Sequence, residues 1–453
     1  MFEKLDLMDK INKELKGRGK TYIGHDLGAG YGEISVFTEQ DLNPVTLLSR
    51  KDATVFHFPC MLVKHRGRFY AGFEAQGLAE EEGALVFENL LELAMKQPTV
   101  VAGGQRFETE YLLGLFLKLS LQLPEDYGKV EKAGGILFTT YIDEDPALQN
   151  RVYEVLAKAA GQIFGKRTRL YLQTRSESIF YFLMHQEESL YREDTLICDY
   201  QQDYLKSYVL QKHGIRAPFA VTVTRTDYPD MQLMPPRAEE ISVATREEHL
   251  DETFRQVIMD IESKHDFGLA YVIGDGFKGN WMDQSLIRLC EHGRVFQGNN
   301  LYSLGACYCL RQMITPSPVL EEYIYYSKQD IHFDIGLYCR SQGTAGSSVR
   351  PEYMEIFEQG SSYEACKRTI YLLPEGEEKL IIEARSITET TPRRLGIDLK
   401  VFPQRRAGLS KLKVTLEFTD YCTLQVTVED IGLGEVVSGS GKVLRETFDL
   451  KEQ

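Results

Sequence analysis

Two rhythms of apolar and polar positions divide the chain. Up to about residue 315, short apolar runs end in turns and alternate with segments whose apolar residues recur every three or four positions. The short runs read as strands and the longer periodic segments as helices. TYIGHDLGAGYGEISVF (21–37) reads as strand, tight glycine turn and strand; 56–75 is a second hairpin turning near His65-Arg66-Gly67. Helical spacing covers 80–96 and 108–123, a strand covers 132–142, and Asp145-Pro146 opens a helix over 145–164. A strand at 168–174 precedes a helix over 176–190, with Ser176 as its predicted N-cap. TLICDYQQDYLKSYVL (195–210) gives two apolar strands around a turn. A proline-rich polar loop (225–241) and a helix (245–265) follow. Then come strand, glycine turn and helix (269–290), and a compact helix (300–313).

From 331 onward the period is two. Leu412, Val414, Leu416 and Phe418 alternate with polar residues, the chain turns at 419–423, and Leu424, Val426 and Val428 alternate back. RTIYLL (368–373), EKLIIEA (378–384) and GIDLKVF (396–402) are further strands. This predicts an antiparallel β-sandwich over 331–453, joined to the rest by a linker at 316–330. At the other end, Phe2, Leu5, Met8, Ile11 and Leu15 share one helical face, so 1–19 reads as a docked N-terminal helix. Its acids and its lack of a continuous apolar run argue against a signal peptide.

Composition narrows the functional classes. Apolar (43%) and charged (26%) contents are those of a globular protein. A net charge of −15 argues against non-specific binding to nucleic acid or to an anionic membrane. No run approaches the ~20 apolar residues of a membrane span. Eight scattered cysteines, with no CxxC pair or zinc spacing, predict a reduced, cytoplasmic setting. The nine histidines show no ligand spacing, GxSxG and HExxH are absent, and Gly441-Lys442 lacks the upstream glycine of a P-loop.

Four stretches in a fixed order carry the chemistry. DLGAGYG follows a strand and supplies Asp26, Gly28 and Gly30; TRSESIF opens a helix; CDYQQDYLKSYV follows a strand and supplies Asp199. VIGDGFKGNW supplies Gly274, Gly276 and Gly279, with NLYSLGACY beyond it. This order resembles the actin-like ATPase superfamily and, more closely, the DnaK-type (heat-shock protein 70) chaperones. The likeness runs along 20–315. The tail resembles that family's substrate-binding β-sandwich.

The resemblance implies an α/β, two-lobed, actin-like (ribonuclease H-like) nucleotide-binding fold followed by the sandwich. Lobe I would be 20–190, and lobe II 191–315 with a shortened small subdomain. It implies ATP or ADP with Mg²⁺, bound through Asp26, Gly28, Gly30, Gly274 and Gly276. Asp26 and Asp199 would be the catalytic candidates and the water-mediated Mg²⁺ ligands. The chemistry is sound: glycine turns expose N–H groups to phosphate, and strand-end carboxylates can hold hydrated Mg²⁺ or orient water. The plainer reading is two aspartates that cap turns.

Several positions depart from the family pattern. Ala29 and Gly30 stand where the first turn has hydroxyl residues, and Tyr200, Gln201, Gln202, Asp203 and Tyr204 replace the glycines and threonine of the second. Bulky side chains there are expected to fill the phosphate cradle, and Asp203 to repel an anion. Asn89, Leu90 and Leu91 stand near the place of the catalytic lysine, while Lys96 reads as a surface residue. GDGFKGNW has two readings: a nucleoside or phosphate loop, or a tight turn packing Phe277 and Trp281 inward. His25, one position from Asp26 on a strand, is expected to face away from the site.

The expected function is therefore that of a DnaK-like protein with a degenerate ATP site, binding nucleotide weakly or not at all. It would act as a chaperone-like scaffold for a protein or peptide partner. The alternative is an active ATPase with a rearranged phosphate site; an actin-like polymer former fits the attached sandwich poorly. Ile356, Tyr363, Ile370 and Ile382 match the family's peptide-groove loops, though each residue type is equally at home in a core. With the chain ending at Gln453, no helical lid is expected over the groove.

Overall fold

The computed structural model describes residues 21–451 except 42, 49–54, 124–126, 143, 165–168, 188–189, 191–192, 202–203, 215–216, 218, 233–242, 299, 341–350, 387–388, 390 and 407–408. The predicted helix at 1–19 and residues 233–241 of the predicted loop lie outside the described residues; the first part of that loop, 225–232, is strand instead. The fold is mixed α/β and divides into two compact units. One comprises Phe2–Lys212 with Val221–Tyr325, the other His213–Ala220 with Tyr326–Gln453.

The first unit holds two six-stranded sheets. Strands β1 (Thr21–Leu27), β2 (Tyr31–Thr38), β3 (Val45–Thr46) and β4 (Phe58–Pro59) begin the first sheet. Next come a three-stranded sheet of β5 (Leu62–His65), β6 (Arg68–Ala71) and β7 (Leu85–Phe87), and the hairpin β8 (Thr99–Ala102) and β9 (Gln105–Glu108). Around them run α1 (Gly72–Leu78), α2 (Leu90–Lys96) and α3 (Thr109–Ser120). Strand β10 (Gly135–Thr140), helix α4 (Pro146–Phe164) and strand β11 (Leu170–Gln173) complete the sheet, and α5 (Arg175–Met184) follows it.

The second sheet uses β12 (Asp194–Asp199), β13 (Tyr204–His213), β14 (Phe219–Gln232), β15 (Phe267–Ile273), β16 (Arg294–Gln297) and β17 (Tyr323–Tyr325). Its helices are α6 (Val243–Glu262), α7 (Asp283–His292) and α8 (Leu301–Ile314).

The two sheets share one plan. The first runs β3-β2-β1-β10-β11 and the second β14-β13-β12-β15-β16. In each, the first strand pairs antiparallel with the second and parallel with the fourth, which is parallel to the fifth. Each central strand is flanked on both sides and covered on both faces, so β1 is buried along its whole length. Alternation sends Ile23, His25 and Leu27 to one face of β1, and Tyr22, Gly24 and Asp26 to the other. His25 is fully buried beside the rings of Phe58 and Phe138, and burial pushes its imidazole down to about 3. It faces away from Asp26, as expected.

Close approach of helices fixes the middle of this unit. A Cβ on Gly305 of α8 would lie 2.1 Å from the Ser178 carbonyl oxygen of α5, and one on Gly24 would lie 2.3 Å from the Ser303 carbonyl oxygen. Glycine is required at both positions by space, not by backbone angle.

Two sequence expectations change here. Residues 80–96 are not one helix: Gly83 takes a φ of 79°, β7 pairs with β5, and Asn89 enters the left-handed region before α2 begins. Thr174, not Ser176, caps α5, in a reciprocal capping box with Glu177.

The second unit contains β18 (Phe333–Cys339), β19 (Glu352–Phe357), β20 (Lys367–Leu372), β21 (Lys379–Ser386), β22 (Arg393–Asp398), β23 (Leu412–Phe418), β24 (Thr423–Asp430) and β25 (Val443–Asp449). They form two four-stranded antiparallel sheets, β19-β18-β21-β22 and β20-β23-β24-β25, that share one core. Leu412, Val414, Leu416 and Phe418 face that core, as do Leu424, Val426 and Val428.

Candidate functional site

Asp26 lies at the end of β1 and Asp199 at the end of β12, equivalent places in the two sheets. Both carboxylates are almost fully buried. Between them stands Arg175, the first residue of α5, itself 3% exposed. Its Nη2 donates to Asp26 Oδ2 at 3.0 Å and its Nη1 to Asp199 Oδ2 at 3.2 Å. Thr139 of β10 donates to Asp26 Oδ1 at 2.8 Å, and Tyr302 of α8 donates to Asp199 Oδ2 at 2.6 Å. The guanidinium also lies over the Tyr302 ring, 4.4 Å from its centroid.

Local sequence explains why Arg175 arrives there. The capping box fixes the first turn of α5. Ser176 then donates its backbone N–H (3.0 Å) and its hydroxyl (2.8 Å) to Glu144. Gln173 donates to Ser178 at 2.6 Å. The planar, permanently charged guanidinium presents a separate nitrogen to each carboxylate, Nη2 to Asp26 and Nη1 to Asp199.

Electrostatics here is lopsided. Burial would pull Arg175 down, but Asp26 and Asp199 together hold it well above the ordinary arginine range. Burial lifts the Asp199 carboxyl even though Arg175 and Tyr302 oppose the shift. Glu33, opposite Asp26 in the β1–β2 register, is 5% exposed. Burial, reinforced by the charge on Asp26, lifts its carboxyl well above the ordinary glutamate range. Its Oε2 has no hydrogen-bond partner among the described residues.

A small cleft, partly open to solvent, lies beside this triad. Asp26, Tyr31, Glu33, His57, Gln201, Gly274 and Asp275 line it. It lies beyond the carboxyl ends of β1, β12 and β15, where open α/β sheets place ligands. His57 Nε2 is 3.6 Å from Asp275, and burial lowers its pKa, with Asp275 opposing. Lys278 pairs with Asp275 at 2.9 Å from the exposed side.

The predicted site residues are partly assembled. Asp26, Asp199 and Gly274 come together; Gly28 sits in the β1–β2 turn, where a Cβ would lie 2.1 Å from the Tyr31 carbonyl oxygen. Gly30 has open space around it. Gly276 donates its N–H to the Tyr200 carbonyl at 2.8 Å, so that group is engaged within the protein. Phe277 and Trp281 are buried and stacked, which is the tight-turn reading of this loop.

Tyr200 corrects an expectation. It does not fill a phosphate cradle; its fully buried ring packs against Phe277 and Trp281. Leu196, Cys198 and Tyr200 share one face and Asp199 the other, so alternation along β12 carries the ring away. Gln201 does line the cleft, while Gln202 and Asp203 lie outside the described residues. Lys96 is a surface residue paired with Glu92 at 2.6 Å. In the second unit, Ile356 and Ile382 are core residues, and Tyr363 and Ile370 are half-buried against that core.

Comparison with known families places most of the chain. Residues 43–328 match the C-terminal model of a family of unknown function, DUF5716. The chain belongs to this family. Residues 331–450 match a domain of unknown function, DUF8552. No curated protein matches the chain. Among the described residues no helix is long and apolar enough to cross a membrane, and no group of three or more His, Cys, Asp or Glu is arranged to hold a metal ion.

Magnesium does not fit between Asp26 and Asp199 as they stand. Both candidate metal ligands already hold Arg175, whose guanidinium fills the space between them.

Proposed function

We propose that the chain is a two-lobed, actin-like protein followed by a β-sandwich, related to DnaK-type chaperones, whose ATP site is degenerate. In this reading it is a non-hydrolysing scaffold for a protein or peptide partner in the cytoplasm. The repeated strand order supports the two-lobed relationship. One observation carries the loss of hydrolysis: Arg175 bridges Asp26 and Asp199. A fixed cation between the two carboxylates does the charge balancing that a bound metal would do. The engaged N–H of Gly276 removes a phosphate donor from the third loop. Partner contact through the second unit would use its exposed strands, since the side chains of Ile356 and Ile382 are enclosed.

Thermal melting with millimolar ATP or ADP and Mg²⁺, with phosphate release assayed alongside, tests this reading. Saturating ligand must raise the melting temperature by mass action. The expected result is no shift and no release. A saturable ATP shift with phosphate release that Asp26→Ala abolishes would establish the ATPase instead.

A further inference from the structure

The described lining of the cleft beside the triad is rich in carboxyl groups, with the polar side chains of Tyr31, His57 and Gln201 between them. Asp26, Glu33 and Asp275 contribute carboxyl groups, and no lysine or arginine is among the lining residues. The nearest basic groups meet its other carboxylates: Arg175 holds Asp26 and Asp199, and Lys278 from the exposed side and His57 at 3.6 Å face Asp275, which leaves Glu33 as the lining carboxyl without a cation of its own. A second observation points to a missing ligand. Glu33 is 95% buried, lines the cleft, and its Oε2 has no partner among the described residues. A buried carboxyl oxygen without a donor is costly and calls for explanation.

We propose that this cleft binds an organic cation, a guanidinium or ammonium group on a flexible chain, with Glu33 as its principal acceptor and Asp275 as a second one shared with Lys278 and His57. The inference rests on the reading that the cleft no longer takes a triphosphate. A compact metal ion suits the cleft less well, because the carboxyl groups do not converge on one point. A guanidinium spreads its donors over a plane and reaches separated acceptors. Tyr31, 39% exposed at the start of β2, offers a ring to the cation.

Calorimetric titration of the full chain with n-butylguanidinium, set against its uncharged isostere n-butylurea, tests the proposal. The guanidinium is expected to bind saturably and at least tenfold more tightly than the urea. Glu33→Gln keeps the shape, and with Asp275→Asn is expected to weaken binding at least tenfold. A circular dichroism melt checks that each variant is folded. Absence of saturable binding, equal binding of the two isosteres, or unchanged binding in folded Glu33→Gln would overturn the proposal. A capped Gly-Arg-Gly peptide and free agmatine form two further arms. Tighter binding of the peptide assigns the cation to a protein partner, and tighter binding of agmatine to a free amine; either supports the cation site. A parallel ATP–Mg²⁺ titration separates the two readings. ATP binding would defeat the degenerate site, whereas silence from every cation would defeat only this inference.

Discussion

Two arginine–aspartate arrangements, one in each unit, look alike and differ in burial and balance. Arg405 meets Asp430 in a bidentate pair, Nη1 to Oδ1 at 2.8 Å and Nη2 to Oδ2 at 2.9 Å. The N–H groups of Gly432 and Ser440 also donate to Asp430, so this carboxylate is fully served and the 431–442 loop is tied down. Arg175 instead faces two carboxylates, with the unpartnered Glu33 oxygen close by and Asp199 Oδ1 also lacking a partner among the described residues. One is a closed clamp. The other is a strut between two sheets that leaves acceptors over, and unserved acceptors mark a site better than charge alone does.

The largest expected contrast comes from removing each arginine. Arg175→Ala strands two buried carboxylates and is expected to cost about 3–5 kcal/mol in chemical denaturation. Arg405→Ala leaves Asp430 its backbone donors and is expected to cost about 1–3 kcal/mol. Millimolar Mg²⁺ is expected to raise the melting temperature of Arg175→Ala and not that of the unsubstituted protein. Equal losses in the two variants would erase the distinction.

Tyr302→Phe sharpens it from the side of Asp199. Losing the 2.6 Å hydrogen bond is expected to cost about 1.5–3 kcal/mol. Tyr200→Phe, whose hydroxyl has no partner among the described residues, is expected to be neutral or slightly stabilising.

Acid should act on the two arrangements with opposite sign. Burial would raise Asp430, but Arg405 and the Ser440 and Gly432 donors hold it down at about 2, below the ordinary 3.8. Its contribution is complete above about pH 4 and is lost as pH falls through about 2. Glu33 lies well above 4.5, so the folded protein takes up its proton more readily than the unfolded chain. Its burden on stability is relieved as pH falls from that raised value toward 4.5. Relative to Glu33→Gln, the unsubstituted protein should gain stability over that window. Denaturant midpoints measured against pH, falling in parallel for both proteins, would contradict this. The smallest effect is Thr174→Ala, which removes one side of the α5 capping box at about 1 kcal/mol.

The two aspartates were legible because a strand, a turn and a returning strand leave a local signature. Arg175 was not. Its segment, TRSESIF, announces a helix start, but partners 149 and 24 residues away leave no trace in a local pattern. Glu33 was hidden for a similar reason, since its meeting with Asp26 depends on register. The direction of Tyr200 could have been found: Leu196, Cys198 and Tyr200 alternate with Asp199, and period two turns the ring inward. In the second unit the strong alternation of β23 and β24 made the sheets readable. Ile356 of β19 and Ile382 of β21, which match the peptide-groove loops in sequence, are enclosed in the core the two sheets share.

Arg175 has one property that no diffusible ion shares. It is covalently part of the chain, so it has no dissociation constant, and neither chelators nor a fall in cellular magnesium can strip it away. The link it makes between the two sheets therefore does not depend on a diffusible metal ion.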